Sequence, residues 1–453
     1  MPEHPLTRRG RRILIAVAGF VFLALVAATW YIHDRVANPV LLAYWWVGNG
    51  TLFYCLYAFT RDSRFEHLPM AAGRIVAIVP AHERDHDDLR ACIWSILDQR
   101  GVVVDEVHVV DDGSVHRPVD PFPHPRVRWH RTGNGGRQAA QAYVLDRLDP
   151  HDWDFVLTAD GDCVLDERAI EHQLRALSRP RIVATTAMVA VRNVHQNLLT
   201  RVADLNIGTR VMRRVSRARK SPTAMLTVTS GAVTIYRAGT LFEQKRRYLA
   251  AKATGDGCYD AGVPDLEGEV VRVHEAIVWT REPADALVAY RQRRRSATAS
   301  WRRLAPALTG PHRSGDPLAR LILLLQLAAG PLTLGFVIFT LVESACRDTL
   351  RLLPIVPYVA LYLLVRYAMT GLYLVERPGL DSARKVWTWI LLTPVEAVYH
   401  LLFSVPIKYI ALLQLRGFDR TVTAEPSKVY YSGYLTGAGA SPAPAAGLGE
   451  GHE

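Results

Sequence analysis

Residues 13–32 (ILIAVAGFVFLALVAATWYI) form an apolar run without a charged side chain, and residues 40–59 (VLLAYWWVGNGTLFYCLYAF) repeat the pattern at once. A helix of about 20 such residues crosses the hydrocarbon of a bilayer, so each run is long enough to span. Further apolar stretches lie at 318–342, 352–374 and 386–415, the last with Pro394, Pro406 and Lys408 inside it. That last run exceeds one bilayer thickness, so one tilted helix and a span followed by an interfacial helix both remain open. Most of the charge a water-facing domain requires falls between the first pair of runs and the last group. The chain is therefore expected to carry a folded domain inserted between membrane helices.

Arg8, Arg9, Arg11 and Arg12 precede the first run and, by the positive-inside rule, set the N-terminus in the cytoplasm. A signal peptide also begins this way, but the run is long for one, no small-x-small cleavage site stands out, and a second span follows immediately. Two spans return the chain, which makes the region from Arg61 onward cytoplasmic and the protein a multi-pass plasma-membrane protein. The C-terminus falls outside or inside according to whether the later spans are odd or even in number.

The chain has 453 residues, 49% of them hydrophobic, with a net charge of +11. The basic excess collects in arginine clusters beside the apolar runs and in 287–304, a pattern that fits anionic lipid or a phosphate-bearing substrate better than nucleic acid. Five cysteines are scattered without metal-ligand spacing, so neither a disulfide framework nor a zinc site is expected.

Between the apolar runs, RIVAIVP at 74–80 reads as a buried strand and HDDLRACIWSILDQ as a helix, with Leu89, Cys92, Ile93, Ile96 and Leu97 on one face and Asp87 or Asp88 at its start. EVHVVDDGS gives a second strand, so the strand–helix–strand order predicts a parallel α/β sheet. A proline-rich loop, a short strand VRWH and GNGGRQAAQAYVLDRL follow. In the last of these a glycine turn opens a helix with Arg137 in its first turn, a combination suited to an anion. FVLTADGD at 155–162 is the next strand, running into two carboxylates, Asp160 and Asp162, which can hold a hard divalent cation through oxygen.

Asp-Gly-Asp alone is as good a turn as a metal site. Here three successive strands end in polar groups: Ala81-His82-Glu83, Asp111-Asp112-Gly113-Ser114 and Asp160-Gly161-Asp162. Ligands of open α/β sheets bind outside the carboxyl ends of strands, so the three ends together predict a nucleotide and metal site formed by His82, Glu83, Asp111, Asp112, Arg137, Asp160 and Asp162.

These motifs, with SGAVTIYR at 230–237 and two spans before and several after, resemble the membrane-embedded family two glycosyltransferases, the group that includes hyaluronan, poly-N-acetylglucosamine, chitin and cellulose synthases. The resemblance implies a GT-A (Rossmann-like) glycosyltransferase domain, a UDP-sugar donor and Mg²⁺ or Mn²⁺. It implies Asp111 and Asp112 near the uracil and ribose, and Asp160 and Asp162 at the diphosphate and metal. It carries the general base onto Asp256 of Thr254-Gly255-Asp256, with Asp260 in reserve, because aligning Gly255-Asp256-Gly257 with the family's Gly-Asp-Asp leaves Gly257 at the base position. It sets Gln292 and Arg295 on the membrane-face helix, with Ser296 where the family has an acceptor-stacking tryptophan and Trp301 five residues on. Ser230 and Gly231 correspond to an acceptor-side loop, and the family's gating motif is matched only in part by Gly417-Phe418-Asp419-Arg420.

The chemistry has its own logic. A nucleotide-diphosphate leaving group needs its growing charge neutralised by a cation and arginines, and the acceptor hydroxyl needs a carboxylate base.

The expected organisation is two membrane helices (1–60), the GT-A domain (61–286), an amphipathic interfacial region (287–317), C-terminal membrane helices (318–420) and a disordered tail (421–453). The basic stretch within 181–229 carries no motif and reads as a solvated or membrane-near helix face. The expected partners are the UDP-sugar, a carbohydrate or lipid-linked acceptor, and membrane lipid, with no nucleic acid. The expected activity is inverting transfer to a growing polysaccharide with export. Single-sugar transfer, or a catalytically degenerate binding homologue, are the rivals.

Overall fold

The structure, a computed structural model, describes residues 65–213, 232–243, 269–309, 356–414 and 429–434, with isolated helical positions elsewhere. The expected spans at 13–32, 40–59 and 318–342 lie outside the described residues, isolated positions apart. The chain divides into a sheet unit (65–187, 229–280, 419–453) and a helical unit (1–64, 188–228, 281–418).

The sheet unit opens with β1 (Ile75–Ala81), α1 (His86–Leu97), β2 (Glu106–Asp112), β3 (Val127–Thr132), α2 (Arg137–Leu145), β4 (Phe155–Ala159), β5 (Val164–Leu165) and α3 (Ala169–Leu177). β6 (Ile182–Val191), β7 (Val233–Arg237), β8 (Glu269–Thr280) and β9 (Val429–Tyr434) complete a nine-stranded sheet in the order β5-β8-β6-β7-β4-β1-β2-β3-β9. β1 pairs in parallel with β2 and β4, and β2 with β3. Every residue of β1 and β4 is buried, as expected of strands covered on both faces.

The sheet is mixed where the sequence suggested a parallel one: β7 runs antiparallel to β4 and β6, β5 to β8, and β9 to β3. The strand–helix alternation on which the parallel reading rests stops after α3.

α1 buries the apolar stripe read from its spacing. Its cap is Asp85, which accepts from the N–H groups of Asp87 and Asp88; those two residues, expected as caps, occupy the first turn, where their charge faces the positive end of the helix dipole. Val76, Ile78, Val110 and Val156 form a core with Ala140 and Val144 of α2 and Tyr236 of β7. Replacing Ile78 by alanine would cost about 2–5 kcal/mol. Between β2 and β3, His108 bonds His130 at 3.0 Å and Glu106 at 3.1 Å, and burial pushes His130 down to about 3, so the pair stays a neutral tie at physiological pH.

Residues 429–434, assigned to a disordered tail, instead form edge strand β9. Val, Tyr and Tyr favour strands, but the Ala, Gly and Pro residues beyond them dominate the composition of the region.

The helical unit contains α4 (Leu198–Arg213), α5 (Ala286–Thr309), α6 (Val356–Glu376), α7 (Ser382–Tyr399), a π turn at His400–Ser404 and α8 (Val405–Gln414). Segment 188–228, read as part of the GT-A domain, groups with these helices. The reason is side-chain chemistry on α4. Asp204 accepts from Tyr373 Oη at 2.8 Å and Arg377 Nε at 2.6 Å, while Asn206 donates to Glu396 at 2.9 Å and Glu396 also holds Arg366. Gly208 lets the helices meet, since a Cβ there would lie 2.2 Å from the Tyr373 ring.

α7, the π turn and α8 form one continuous helix through the 386–415 run. Pro406 has no N–H to give, and the adjacent π turn accommodates the break in the hydrogen-bond ladder. Ser382–Leu413, 32 residues, is long and apolar enough to cross a membrane by length and composition. Trp387, Leu391, Val398, Leu402 and Leu413 lie exposed along it.

Candidate active site at the carboxyl ends of the central strands

β1, β2 and β4 are parallel neighbours, and Ala81 stands in register with Asp111, so the three polar strand ends emerge side by side. After β1 the backbone turns sharply, with Glu83 at φ 50°. The Glu83 carboxylate accepts from the N–H groups of Val115 (2.6 Å), His116 (3.0 Å) and Arg117 (2.8 Å), and its own N–H donates to Ser114 Oγ at 2.8 Å. The N–H groups of His116 and then Val115 hold its carboxyl below the usual 4.5. His82 Nδ1 donates to the Asp112 carbonyl at 2.9 Å. These two residues thus shape the loop after β2.

Asp111 is buried, its oxygens taken by the N–H groups of Ser114 (2.9 Å) and Val119 (3.3 Å), with Arg131 3.6 Å away. It braces the same loop from inside. Asp112 accepts from Gly135 N–H at 2.9 Å, tying the end of β2 to the glycine loop that opens α2. Gly113, at φ 69°, allows this approach: a Cβ would lie 2.6 Å from the Asn134 nitrogen. Gly136, at φ 84°, stands at the α2 N-terminus without a side-chain cap, leaving amide donors for an anion.

Arg137, the first residue of α2, reaches Asp160 at 2.8 Å, and Arg84 pairs with Asp162. One ligand atom each from Asp160, Asp162 and Cys163 lie within 4.8 Å of one another. Burial raises the Cys163 thiol well above its ordinary range, so it stays protonated, its S–H directed at Asp162. The two partly exposed carboxylates are the donors left for a cation, and an all-oxygen pair fits Mg²⁺ or Mn²⁺. Cys92, similarly buried and raised, donates to the Asp160 carbonyl at 3.4 Å and holds the turn from behind.

Asp256, its reserve Asp260, Ser230, Gly231 and the 417–420 motif lie outside the described residues. Gln292 and Arg295 lie on α5, where Arg295 is exposed and the Gln292 Oε1 is buried without a hydrogen-bond partner among the described residues. Ser296 is exposed. Trp301 is buried, donating to the Lys408 carbonyl at 2.5 Å and meeting Tyr409 edge-on, so it packs α5 onto α8.

Sequence reasoning missed two arginines. Arg293 lies between the expected Gln292 and Arg295, is buried, and bonds Glu282 at 3.0 Å. Arg84 adjoins His82-Glu83, and its partner is distant in sequence. A cation one residue past a strand-end motif was the available signal.

The fold and site define a Rossmann-like α/β domain with a carboxylate pair and two arginines at the carboxyl ends of its parallel strands. Residues 76–238 match the family described as glycosyl transferase family 2. This stretch therefore resembles a family 2 glycosyltransferase domain, and the chain resembles hyaluronan synthase. It is 31% identical over 188 residues to the hyaluronan synthase of Streptococcus pyogenes, covering 39% of this chain and 43% of that protein. It is 27% identical over 141 residues to an N-acetylglucosaminyltransferase of Azorhizobium caulinodans, covering 29% of this chain and 34% of that protein. The chain thus spans less than half the length of these relatives. Among solved structures, a mannosyltransferase from Pyrobaculum calidifontis in complex with GDP-Man and Mn²⁺ matches with a TM-score of 0.48 at 14% identity, over 81% of this chain and 98% of that one.

Proposed function

We propose that this protein is an inverting membrane glycosyltransferase that moves a sugar from a UDP-sugar to a carbohydrate acceptor, extending a polysaccharide and exporting it through its own helices. The observation that carries the reading is the convergence of Glu83, Asp112, Asp160 and Asp162 with Arg84 and Arg137 at three adjacent strand ends.

Asp160 and Asp162 would hold Mg²⁺ or Mn²⁺, which when bound supplies positive charge for the diphosphate leaving group. Arg137 and the open amides of α2 add fixed positive charge beside it, preorganised before the donor arrives. Asp111, Asp112 and Glu83 keep the loop after β2 in one shape to receive the nucleoside. By resemblance, Asp256 takes the proton of the acceptor hydroxyl, Ser230 and Gly231 line the acceptor side, and Gln292 and Arg295 serve the phosphates.

The continuous apolar helix Ser382–Leu413 supports an integral membrane protein, and Arg8, Arg9, Arg11 and Arg12 support a catalytic domain in the cytoplasm. The pairing of β9 with β3 supports a C-terminal tail on the same side as the sheet, which requires an even number of crossings between β8 and β9.

A second reading, transfer of one sugar to a lipid or glycan, is favoured by Ser296 at the stacking position and by the commitment of Trp301 to Lys408. Membranes bearing the protein, incubated with a panel of labelled UDP-sugars and Mg²⁺ or Mn²⁺, separate these readings. Long product supports the synthase, a single added sugar supports the second reading, and no transfer from any donor defeats both.

A further inference from the structure

Each carboxylate of the Asp160-Gly161-Asp162 turn already faces a guanidinium: Arg137 reaches Asp160 at 2.8 Å, and Arg84 pairs with Asp162. Two negative and two positive charges leave the turn locally neutral, so a lone dication finds no net attraction and must displace an arginine to gain a carboxylate. Both arginine side chains are 37% exposed, on flexible stems that can move without unpacking the core. A diphosphate arriving with the cation changes the balance, because its oxygens give a displaced guanidinium a bidentate partner at once.

We infer that Arg84 is a positioning residue that makes cation and nucleotide binding mutually dependent. It occupies Asp162 when the donor is absent, yields that carboxylate to the metal, and re-pairs with the diphosphate. The protein therefore rejects the free cation and accepts the cation–nucleotide complex. The inference rests on Asp160 and Asp162 as the metal ligands, and it assigns the exchange to Arg84 in particular. Arg137 is also fixed as the first residue of α2, whereas Arg84 lies in the turn after β1, held to the site through Asp162.

The test is Mn²⁺ binding to the full-length protein, read from the spectrum of free Mn²⁺ with and without UDP and without any turnover. Wild type should bind Mn²⁺ weakly alone and much more tightly with UDP. Arg84→Gln should bind Mn²⁺ alone at least about tenfold more tightly, since a positive charge beside the site is gone. The factor by which UDP raises Mn²⁺ affinity should fall by a similar amount, and by reciprocity the factor by which Mn²⁺ raises UDP affinity should fall equally. Arg84→Lys, which keeps the charge, should stay near wild type for Mn²⁺ alone.

Mn²⁺ affinity unchanged in Arg84→Gln, or UDP binding to wild type that ignores Mn²⁺, overturns the inference. If Arg84→Gln is unchanged while Asp162→Asn abolishes Mn²⁺–UDP binding, only the role of Arg84 falls. If wild type binds no Mn²⁺ even with UDP, the metal site falls with it.

Discussion

Gly113 and Gly136 make a paired test of how the donor-side loops are packed. Both have positive φ, 69° and 84°, and Gly136, at ψ 160°, lies in a region open essentially to glycine alone, so alanine at either position bears a backbone strain of about 1–3 kcal/mol. Alanine also removes freedom from the unfolded chain, worth about 0.4–1 kcal/mol in its favour, and this term is the same at both positions. The steric surroundings differ as well. A Cβ on Gly136 meets nothing within 4 Å, whereas one on Gly113 lies 2.6 Å from the backbone nitrogen of Asn134, which cannot rotate away. Forced overpacking of this kind adds about 1–3 kcal/mol. In a domain of this size 1 kcal/mol lowers Tm by about 2–4 °C, so the clash alone should lower the melting of Gly113→Ala by roughly 2–12 °C, on top of the backbone strain both variants carry. The assay is thermal unfolding of the full-length protein in detergent, with UDP affinity in parallel. Gly113→Ala should also weaken UDP, because parting the loops strains the Asp112–Gly135 hydrogen bond. A Gly113→Ala protein that melts no lower than backbone strain alone requires, with UDP affinity unchanged, would refute the close packing of the loop after β2 on the glycine loop.

Other consequences are as direct. Backbone N–H bonds lower the Glu83 carboxyl below 4.5, so its support of the 113–117 loop is complete above pH 4.5 and is lost as pH falls through the lowered folded value. UDP affinity should decline in that acid window in wild type, and Glu83→Gln should be weak throughout and flat there. Glu396→Ala leaves the buried Arg366 guanidinium without its carboxylate and should destabilise the helical unit by about 3–5 kcal/mol, whereas Arg366→Met with Glu396→Leu should cost far less; denaturation in detergent compares them. A cysteine at Thr436, two residues past β9, should react with an impermeant maleimide from the same membrane side as one placed at the exposed surface position Val103. Labelling from the opposite side would show that β9 does not pair with β3.

The central strands and α1 were legible because short-range pattern determines them. Val- and Ile-rich runs ending in acidic residues can form little else between covering helices, and the stripe Leu89, Cys92, Ile93, Ile96, Leu97 has a helical period. The pairing of Arg84 with Asp162 was not legible, because their 78-residue separation closes only when β1 and β4 lie side by side. The allegiance of α4 was hidden for the same reason. Asp204 and Asn206 look like ordinary polar positions until Arg377 and Glu396 supply their partners. β9 is a short edge strand whose register depends on an open neighbour, β3, and no local window contains that neighbour. Sequence could name Asp160 and Asp162 as a carboxylate pair, but it could not reveal that arginines already neutralise them.

The most direct test of the whole account is the rate of sugar transfer from the preferred UDP-sugar in Mn²⁺, compared between wild type and Asp160→Asn in the same membranes. If the diphosphate and its cation are held at the carboxyl end of β4, the variant should be slower by a factor of about 10² or more. Transfer at the wild-type rate in Asp160→Asn would contradict it.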